Sequence, residues 1–449
     1  MIPSLRRFGR WFYPGLGVKR WLLLAAFGAI LLVDGTTRWL TAQGYHFEAN
    51  ELIDNVFDGV LPLSLLAYLF FGLGAILVVV GIRQWMRSIV AAVTPDNKDR
   101  IVDALIDARL RRGYKIVAIG GGTGLSTLLR GLKRGTTNLT AIVTVTDDGG
   151  SSGRLQKELG ILPPGDIRNC LVALADDEAL VTELFQHRFS EGQGLAGHSF
   201  GNLFLAAMAA ITGSFDTAIK ESSRVLKIKG RVLPSTLDPV QLRATLSDGT
   251  VVVGETNISN STLPIAKLGF IPGPARAFAE AISAIREADA VVLGPGSLYT
   301  SILPNLLVNE IVRELTATSA AKIYVCNVMT QPGETDDFSA SDHVRRLCEH
   351  AGARVCDVAI VNVEPPKRLL GTYAEGGQTP VVADIAKIEA LGVRVLGAPV
   401  ISETANVRHD SHKLADVILR FIDDYVAVRS SFVRGSPHHP SPTATKSMQ

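Results

Sequence analysis

The segment Lys115–Asn169 most limits how this chain can fold. A β-branched run, Ile116–Ile119, ends in Gly120-Gly121-Gly122-Thr123-Gly124 and opens into a helical pattern at Ser126–Lys133. A second run, Thr140–Thr146, leads into Asp147-Asp148-Gly149-Gly150-Ser151-Ser152-Gly153-Arg154. Glycine-rich strand-to-helix turns let backbone N–H groups and a helix N-terminus face an anion. The pattern therefore predicts a phosphate cradle beside an acidic loop, and a nucleotide-type ligand.

The same alternation continues along the chain. Apolar β-rich runs recur at Ala290–Leu293, Lys322–Cys326, Val358–Asn362 and Val393–Ala398. Helical patterns at Phe278–Glu287 and Leu306–Thr316 separate several of them, and Leu171–Asp176, Leu180–Phe189 and Asn202–Thr212 read as further helices. Such alternation predicts an α/β fold: a Rossmann-like, mostly parallel sheet with helices on both faces. Val225–Asn257 reads as a small insertion of short antiparallel strands, at Val232–Leu233, Val240–Ser247 and Val251–Val253.

Two apolar segments precede this body. Val60–Ile82 carries no charged residue, and Trp21–Val33 is apolar with a weaker continuation to Leu40. A helix needs about 20 apolar residues to cross a bilayer. The second segment meets that, and the first is marginal because Asp34 and Arg38 lie near its end. A cleaved signal peptide is the rival reading of the first, but no small-residue cleavage pattern follows it and a second span does. The apolar share of 47% fits a membrane segment. Arg6, Arg7, Arg10, Lys19 and Arg20 precede the first span, and Arg83 and Arg87 follow the second. Between them lie Glu48, Glu51, Asp54 and Asp58 without Lys or Arg, so positive-inside bias puts both termini in the cytoplasm. Trp11, Trp21, Trp39 and Trp85 fall near the expected interfaces.

The expected organisation is a membrane anchor over residues 1–88, with helices near 18–40 and 60–82. A linker and amphipathic helix follow over 89–112, then a ligand-binding domain over 113–428. A disordered Ser/Pro/His/Thr tail, 429–449, carries His438 and His439, which could bind metal adventitiously. The net charge of +2 lacks the clustered basic face that nucleic acid requires. Four cysteines without CxxC spacing read as reduced thiols in a cytosolic body.

Polar, glycine-bearing loops follow four of the strands and should converge on one cleft, beyond the carboxyl ends of a parallel sheet. GGGTG lacks both the full GxGxxG spacing and the P-loop lysine, so ordinary dinucleotide or NTPase chemistry is unsupported. Asp147 and Asp148 could hold a divalent cation such as magnesium or bind a ribose hydroxyl; the plainer reading is a turn cap. Asp166 follows Pro163-Pro164-Gly165, where it could cap the next helix or reach ligand. Arg168 could clamp a phosphate. His198 and Asn202 could face the cleft with Ser199 as a helix cap, and His198 has the side chain suited to acid–base work. Gly294–Ser301 (GPGSLYTS) reads as a nest for a phosphate or carboxylate, with Tyr299 able to stack on a base or sugar, or to sit as an interface tyrosine. Asn327–Thr335 closes the set.

Together the strings GGGTGLSTLLRGLK, TVTDDGGSSGRL, LPPGDIRNCLVALAD, GHSFGNLFLAA, VLPST, VVLGPGSLYTSILPNLLV and MTQPGET resemble the YvcK family of gluconeogenesis factors, within the CofD-like superfamily. The resemblance covers residues 115 to 424. It implies a nucleotide-diphosphate site at Gly121, Gly122, Thr123, Gly124, Asp147, Asp148, Ser151, Ser152, Asn169, Gly296, Ser297 and Tyr299. It further implies binding of a UDP-sugar and a role in cell shape and envelope synthesis during gluconeogenic growth. The alternative it implies is a magnesium-dependent phospho-group transferase of the 2-phospho-L-lactate transferase type, with Asp147, Asp148 and His198 as catalytic candidates. The expected partners are the membrane, cell-envelope synthesis proteins and further copies of the chain, at the cytoplasmic membrane. The hairpin sets the chain apart from the usual soluble member.

Overall fold

The computed structural model describes residues 18–45, 62–93, 99–176, 178–403 and 406–434. Arg6, Arg7, Arg10, Trp11, the acidic residues Glu48, Glu51, Asp54 and Asp58, and the tail His438 and His439 lie outside the described residues. The chain divides into two units, Met1–Asp107 and Ala108–Gln449.

The first unit contains two long helices, α1 (Val18–Ala42) and α2 (Leu63–Val93). Their stretches Arg20–Ala42 and Ser64–Ser88 are long and apolar enough to cross a membrane. They pack antiparallel through small residues. A Cβ built on Gly28 would lie 2.8 Å from the Val78 nitrogen, one on Gly74 2.7 Å from the Leu32 nitrogen, and one on Gly81 2.8 Å from the Ala25 Cβ. Only residues this small let two helical backbones approach so closely. The charges that weaken the first span in the sequence are one ion pair. Arg38 Nε lies 2.8 Å from Asp34 Oδ2, and the guanidinium, fully buried, sits 5.5 Å from the centre of the Phe70 ring.

Helix α3 (Asp99–Leu110) leads into the second unit. Its first half contains β1 (Ile116–Gly120), α4 (Gly122–Leu132), β2 (Leu139–Val143), α5 (Gly150–Leu159) and α6 (Gly165–Leu174). Then come α7 (Glu178–Gln186), α8 (Phe200–Thr212), α9 (Phe215–Val225) and β3 (Arg231–Pro234). The insertion consists of β4 (Gln241–Leu246), β5 (Val251–Val253), α10 (Glu255–Ser259) and β6 (Ile265–Ile271). The chain returns through α11 (Ala279–Glu287), β7 (Ala290–Leu293), a π-helical turn (Leu298–Ile302), α12 (Leu303–Leu306), α13 (Asn309–Ala317) and β8 (Ala321–Val325). After α14 (Ala340–Ala351) come β9 (Val358–Asn362), α15 (Leu370–Glu375), α16 (Ile385–Ala390) and β10 (Arg394–Ala398). A hairpin of β11 (Ile401–Glu403) and β12 (Val407–His409) precedes α17 (Ser411–Arg434).

Seven strands form one parallel sheet in the order β10-β9-β8-β7-β1-β2-β3. Its central strands are buried along their whole length, as a sheet covered on both faces requires. Alternate residues feed two cores. Val117 and Ile119 of β1 face one with α11, α13 and α14, while Ile116 and Ala118 face the other with α4, α6 and α17. Helix α4 buries Leu125, Leu128, Leu129 and Leu132, the one-sided spacing that seats a helix on a sheet.

Three expectations change. Val232–Leu233 does not belong to the antiparallel insertion: β3 pairs in parallel with β2 at the sheet edge, because its run is buried like the other core strands. The insertion is instead β5-β4-β6, with β6 as a strand the sequence reading passed over. Helix α17 runs on to Arg434, and Arg429 donates to the Ser319 carbonyl at 3.0 Å, so the change in composition near residue 429 precedes the helix end.

Candidate functional site

The strand order reverses direction between β1 and β7, and ligands of open parallel sheets bind at such a switch point beyond the strand ends. The GGGTG and GPGS loops leave from these two strands. Gly122 has φ +62° and Gly294 φ +80°, conformations that glycine alone adopts without strain. Gly124 serves for closeness instead. A Cβ there would lie 2.7 Å from the Pro295 carbonyl carbon and 2.9 Å from Gly296 Cα, so the two loops touch backbone to backbone.

A cavity of about 310 Å³ opens at this contact. Thr123, Gly124, Gly296 and Ser297 line it, as does the segment Asn327–Gln331 after β8. Tyr373, Gln378, Arg408 and His409 also line it. The sequence reading named none of these four, because nothing local marks them. A second cavity of about 340 Å³ shares Thr127, Arg408 and His409 with the first and extends past Asn406 and His412.

The lining is held by second partners. Glu334, 6% exposed, accepts hydrogen bonds from the hydroxyls of Ser259, at 3.0 Å, and Ser297. Burial raises its pKa against those bonds. Ser297 in turn accepts the Thr300 N–H at 3.1 Å and caps the π-helical turn. The Tyr373 hydroxyl accepts the Val407 N–H at 3.0 Å and fixes the start of β12. Burial pushes the His409 pKa down to about 4, opposed by a hydrogen bond to the Cys326 backbone. Its Nε2 is buried without a protein partner. At neutral pH this ring is uncharged, and an imidazole whose Nδ1–H donates to a carbonyl keeps Nε2 as an acceptor.

The loop after β2 stands apart from this lining. Asp147 Oδ1 accepts the Gly149 N–H at 3.0 Å, a turn cap within its own loop. Asp148 Oδ1 accepts both the N–H and the hydroxyl of Thr256, at 2.9 and 2.7 Å, and so ties the loop to the insertion. Asp166 does not cap α6, whose first turn has no side-chain cap. Its Oδ2 lies 2.5 Å from where a Gly121 Cβ would sit. Burial first, then the neighbouring Asp147, pushes its pKa up to about 7, against the Gly122 N–H and Arg168. Burial also holds the Glu255 carboxyl well above its usual range, with Asp166, Asp147, Glu334 and Asp148 adding to it. Among the described residues no three His, Cys, Asp or Glu side chains are grouped to hold a metal ion.

Behind this loop the remaining candidates bond to one another. Arg168 donates to Ser199 Oγ at 2.6 Å, Asn202 Oδ1 at 3.0 Å and Asn169 Oδ1 at 2.9 Å. Asn202 Nδ2 donates to Ser151 Oγ at 3.1 Å and to Ser152 Oγ at 3.4 Å. Ser199 caps α8 as expected. Ser151 Oγ lies 3.0 Å from His198 Nδ1, within the reach a nucleophile and base require. Ser151 and His198 are both buried, and neither lines the cavity. Tyr299 is placed differently from a stacking residue. Its side chain, 1% exposed, lies in the core edge-on to Phe338 and His350, with ring centres 6.5 and 5.6 Å away.

Residues 116–401 match the family model described as 2-phospho-L-lactate transferase CofD. The chain is 49% identical over 312 residues to the gluconeogenesis factor of Bacillus subtilis, covering 69% of this chain and 98% of that one. A Nostoc sp. protein provisionally named a gluconeogenesis factor is 46% identical over 427 residues, 92% of each chain. That alignment is longer than the whole second unit, so relatives include chains that extend into the first. A crystal structure of a UPF0052 family member from Bacillus halodurans superposes with a TM-score of 0.66 at 48% identity, covering 68% of this chain and 99% of that one.

Proposed function

The chain belongs to the gluconeogenesis factor family of CofD-like proteins, and from that premise we propose that it binds a nucleotide sugar of the UDP type as a regulator of cell shape and envelope synthesis during gluconeogenic growth. Its helical hairpin anchors it in the cytoplasmic membrane, with the binding domain on the cytoplasmic side near the enzymes that use envelope precursors. The observation that carries the reading is the cavity at the switch point. The glycine backbones of its two loops suit a diphosphate, Arg408 supplies a cation, and the neutral His409 offers an acceptor to a hydroxyl or an N–H. The adjoining cavity gives the ligand's two ends separate compartments. Homo-oligomers are the expected assembly.

Calorimetric titration of the full-length protein with UDP-glucose and other UDP-sugars tests this. Saturable binding without turnover is the expected result, and no heat with any of them would sink the reading. The match to the transferase family model supports a second reading, a magnesium-dependent phospho-group transferase. It requires donor consumption that depends on magnesium and is lost in Asp148→Asn.

A further inference from the structure

The parallel strands share one amino end, opposite the switch-point cleft, and a cavity of about 370 Å³ opens there. Its walls come from the starts of β1, β2 and β3 and from the last turn of α11. Two cations line it, Lys115 and Arg231. Arg231 Nη2 donates to Thr140 Oγ1 at 3.1 Å, which holds the guanidinium against the wall. Lys115 Nζ lies 3.0 Å from Glu287 Oε2, in an ion pair whose side chains are both more than half exposed. Gly230 has φ +123°, and a Cβ there would lie 2.8 Å from the Leu139 carbonyl oxygen, so the chain before β3 passes close over the start of β2. That passing run, Lys227-Ile228-Lys229-Gly230-Arg231, carries three cations and no acid. We propose that this cavity binds the phosphate of a glycerophospholipid headgroup.

The two cations suit a phosphate in different ways. A planar guanidinium meets phosphate oxygens in pairs, and an ammonium meets them as a point charge. Glu287 opposes both, but an exposed ion pair is weak, so a phosphate can take Lys115 from it while the carboxylate turns to water. Thr137 adds a hydroxyl at the same opening, and Ala284 gives the glycerol carbons an apolar wall. The membrane is the source the chain favours. It enters β1 from the hairpin through α3, and the exposed Arg109, Arg111 and Arg112 come just before Lys115. Basic residues that follow a span on its cytoplasmic side are drawn to anionic headgroups. The end of this tether is pinned to the cavity wall. Asn138 Nδ2 donates to the carbonyls of Arg111 and Gly113 at 2.9 and 2.7 Å, and the Thr136 hydroxyl donates to the Tyr114 carbonyl at 2.9 Å. A headgroup bound here would therefore fix the tether and leave the cleft at the carboxyl ends open. Such binding rests on the membrane part of the proposed function and is independent of the nucleotide sugar.

The test uses the full-length protein in lipid nanodiscs, either of phosphatidylcholine alone or with phosphatidylglycerol added, and follows backbone hydrogen exchange by mass spectrometry. Incorporation into the neutral discs checks the hairpin separately; a protein that stays out of them refutes the membrane reading. In protein that does enter, phosphatidylglycerol should slow exchange in the peptides that contain Arg134–Asn138 and Lys227–Arg231, and Arg231→Ala should abolish the slowing. Glu287→Gln frees Lys115 and should reach the same slowing at a lower share of phosphatidylglycerol, a gain that misfolding cannot imitate. Equal exchange in the two kinds of disc overturns the proposal, as does slowing that survives Arg231→Ala undiminished. A Glu287→Gln protein that responds as the parent does overturns the part given to Lys115. A third arm adds soluble glycerol 3-phosphate to the neutral discs. If it slows the same peptides as strongly as phosphatidylglycerol does, the lipid is overturned as the source and the cavity belongs to a free phosphate ester.

Discussion

The contact between the two glycine loops can be tested by adding one methyl group. In Gly124→Ala the new Cβ meets the Pro295 carbonyl group and Gly296 Cα, all of it backbone, with carbon contacts of 2.7 and 2.9 Å. Carbon atoms pack best at about 3.5–4.0 Å, so the loops must part by roughly 1 Å. Overpacking of this kind costs about 1–3 kcal/mol. The change to alanine near the start of α4 returns part of that, at most about 1 kcal/mol. The net loss should lower the melting temperature by only about 2–6 °C. The ligand should suffer more. If the diphosphate bridges both loops, losing one or two charged hydrogen bonds costs about 1.5–3 kcal/mol each, which is a tenfold to hundredfold loss of affinity or more. The assay is calorimetry with UDP-glucose on full-length protein, at a temperature where both forms are folded. Gly269→Ala, where nothing lies within 4 Å of the added Cβ, is the control. Binding by Gly124→Ala within twofold of the parent would refute the claim that the two loops share the ligand.

Other consequences follow from single groups. Asp166 has a folded pKa of about 7 against the ordinary 3.8, so the unfolded chain releases its proton first and stability falls as pH rises from 3.8 to 7. Asp166→Asn should remove that share, at most about 4 kcal/mol and less for the carboxyl's partial exposure; denaturation curves at pH 5 and pH 8 with the parent's slope would contradict it. Arg408→Ala, at an exposed position, should weaken UDP-glucose binding about tenfold or more while leaving the melting temperature unchanged; equal affinity in calorimetry would remove Arg408 from the site. Glu334→Ala leaves the Ser259 and Ser297 hydroxyls without their acceptor, for a loss of about 1–3 kcal/mol in thermal unfolding; an unchanged melt would show that neither bond matters. In the hairpin, Gly74→Ile should force α1 from α2, read as a lower melting temperature of the helical signal in detergent; an unchanged melt would show that the helices do not depend on that contact.

Local pattern alone marked the two apolar helices, the strand–glycine–helix turns and most of the parallel strands. Period and turn chemistry are written into neighbouring residues, so Ile116–Gly120 and Val358–Asn362 read almost as they fold. Half of the site was legible for the same reason, since Thr123, Gly124, Gly296 and Ser297 lie in glycine loops at strand ends. The loop Asp147–Arg154 carries the same signals, yet its polar side chains bond to the insertion and to α8. Nothing local distinguishes a polar group that faces ligand from one that faces another element.

What the sequence determined by itself is a membrane-length apolar hairpin followed by an α/β body with glycine loops. What only the tertiary structure decided is the strand order, which sets the GGGTG and GPGS loops side by side at the switch point. That order also brings Tyr373, Arg408 and His409 to the same cavity from distant parts of the chain. The physical reason is that burial and proximity, which make His409 neutral, raise Asp166 and hide Tyr299, are properties of packing between segments and not of any one segment.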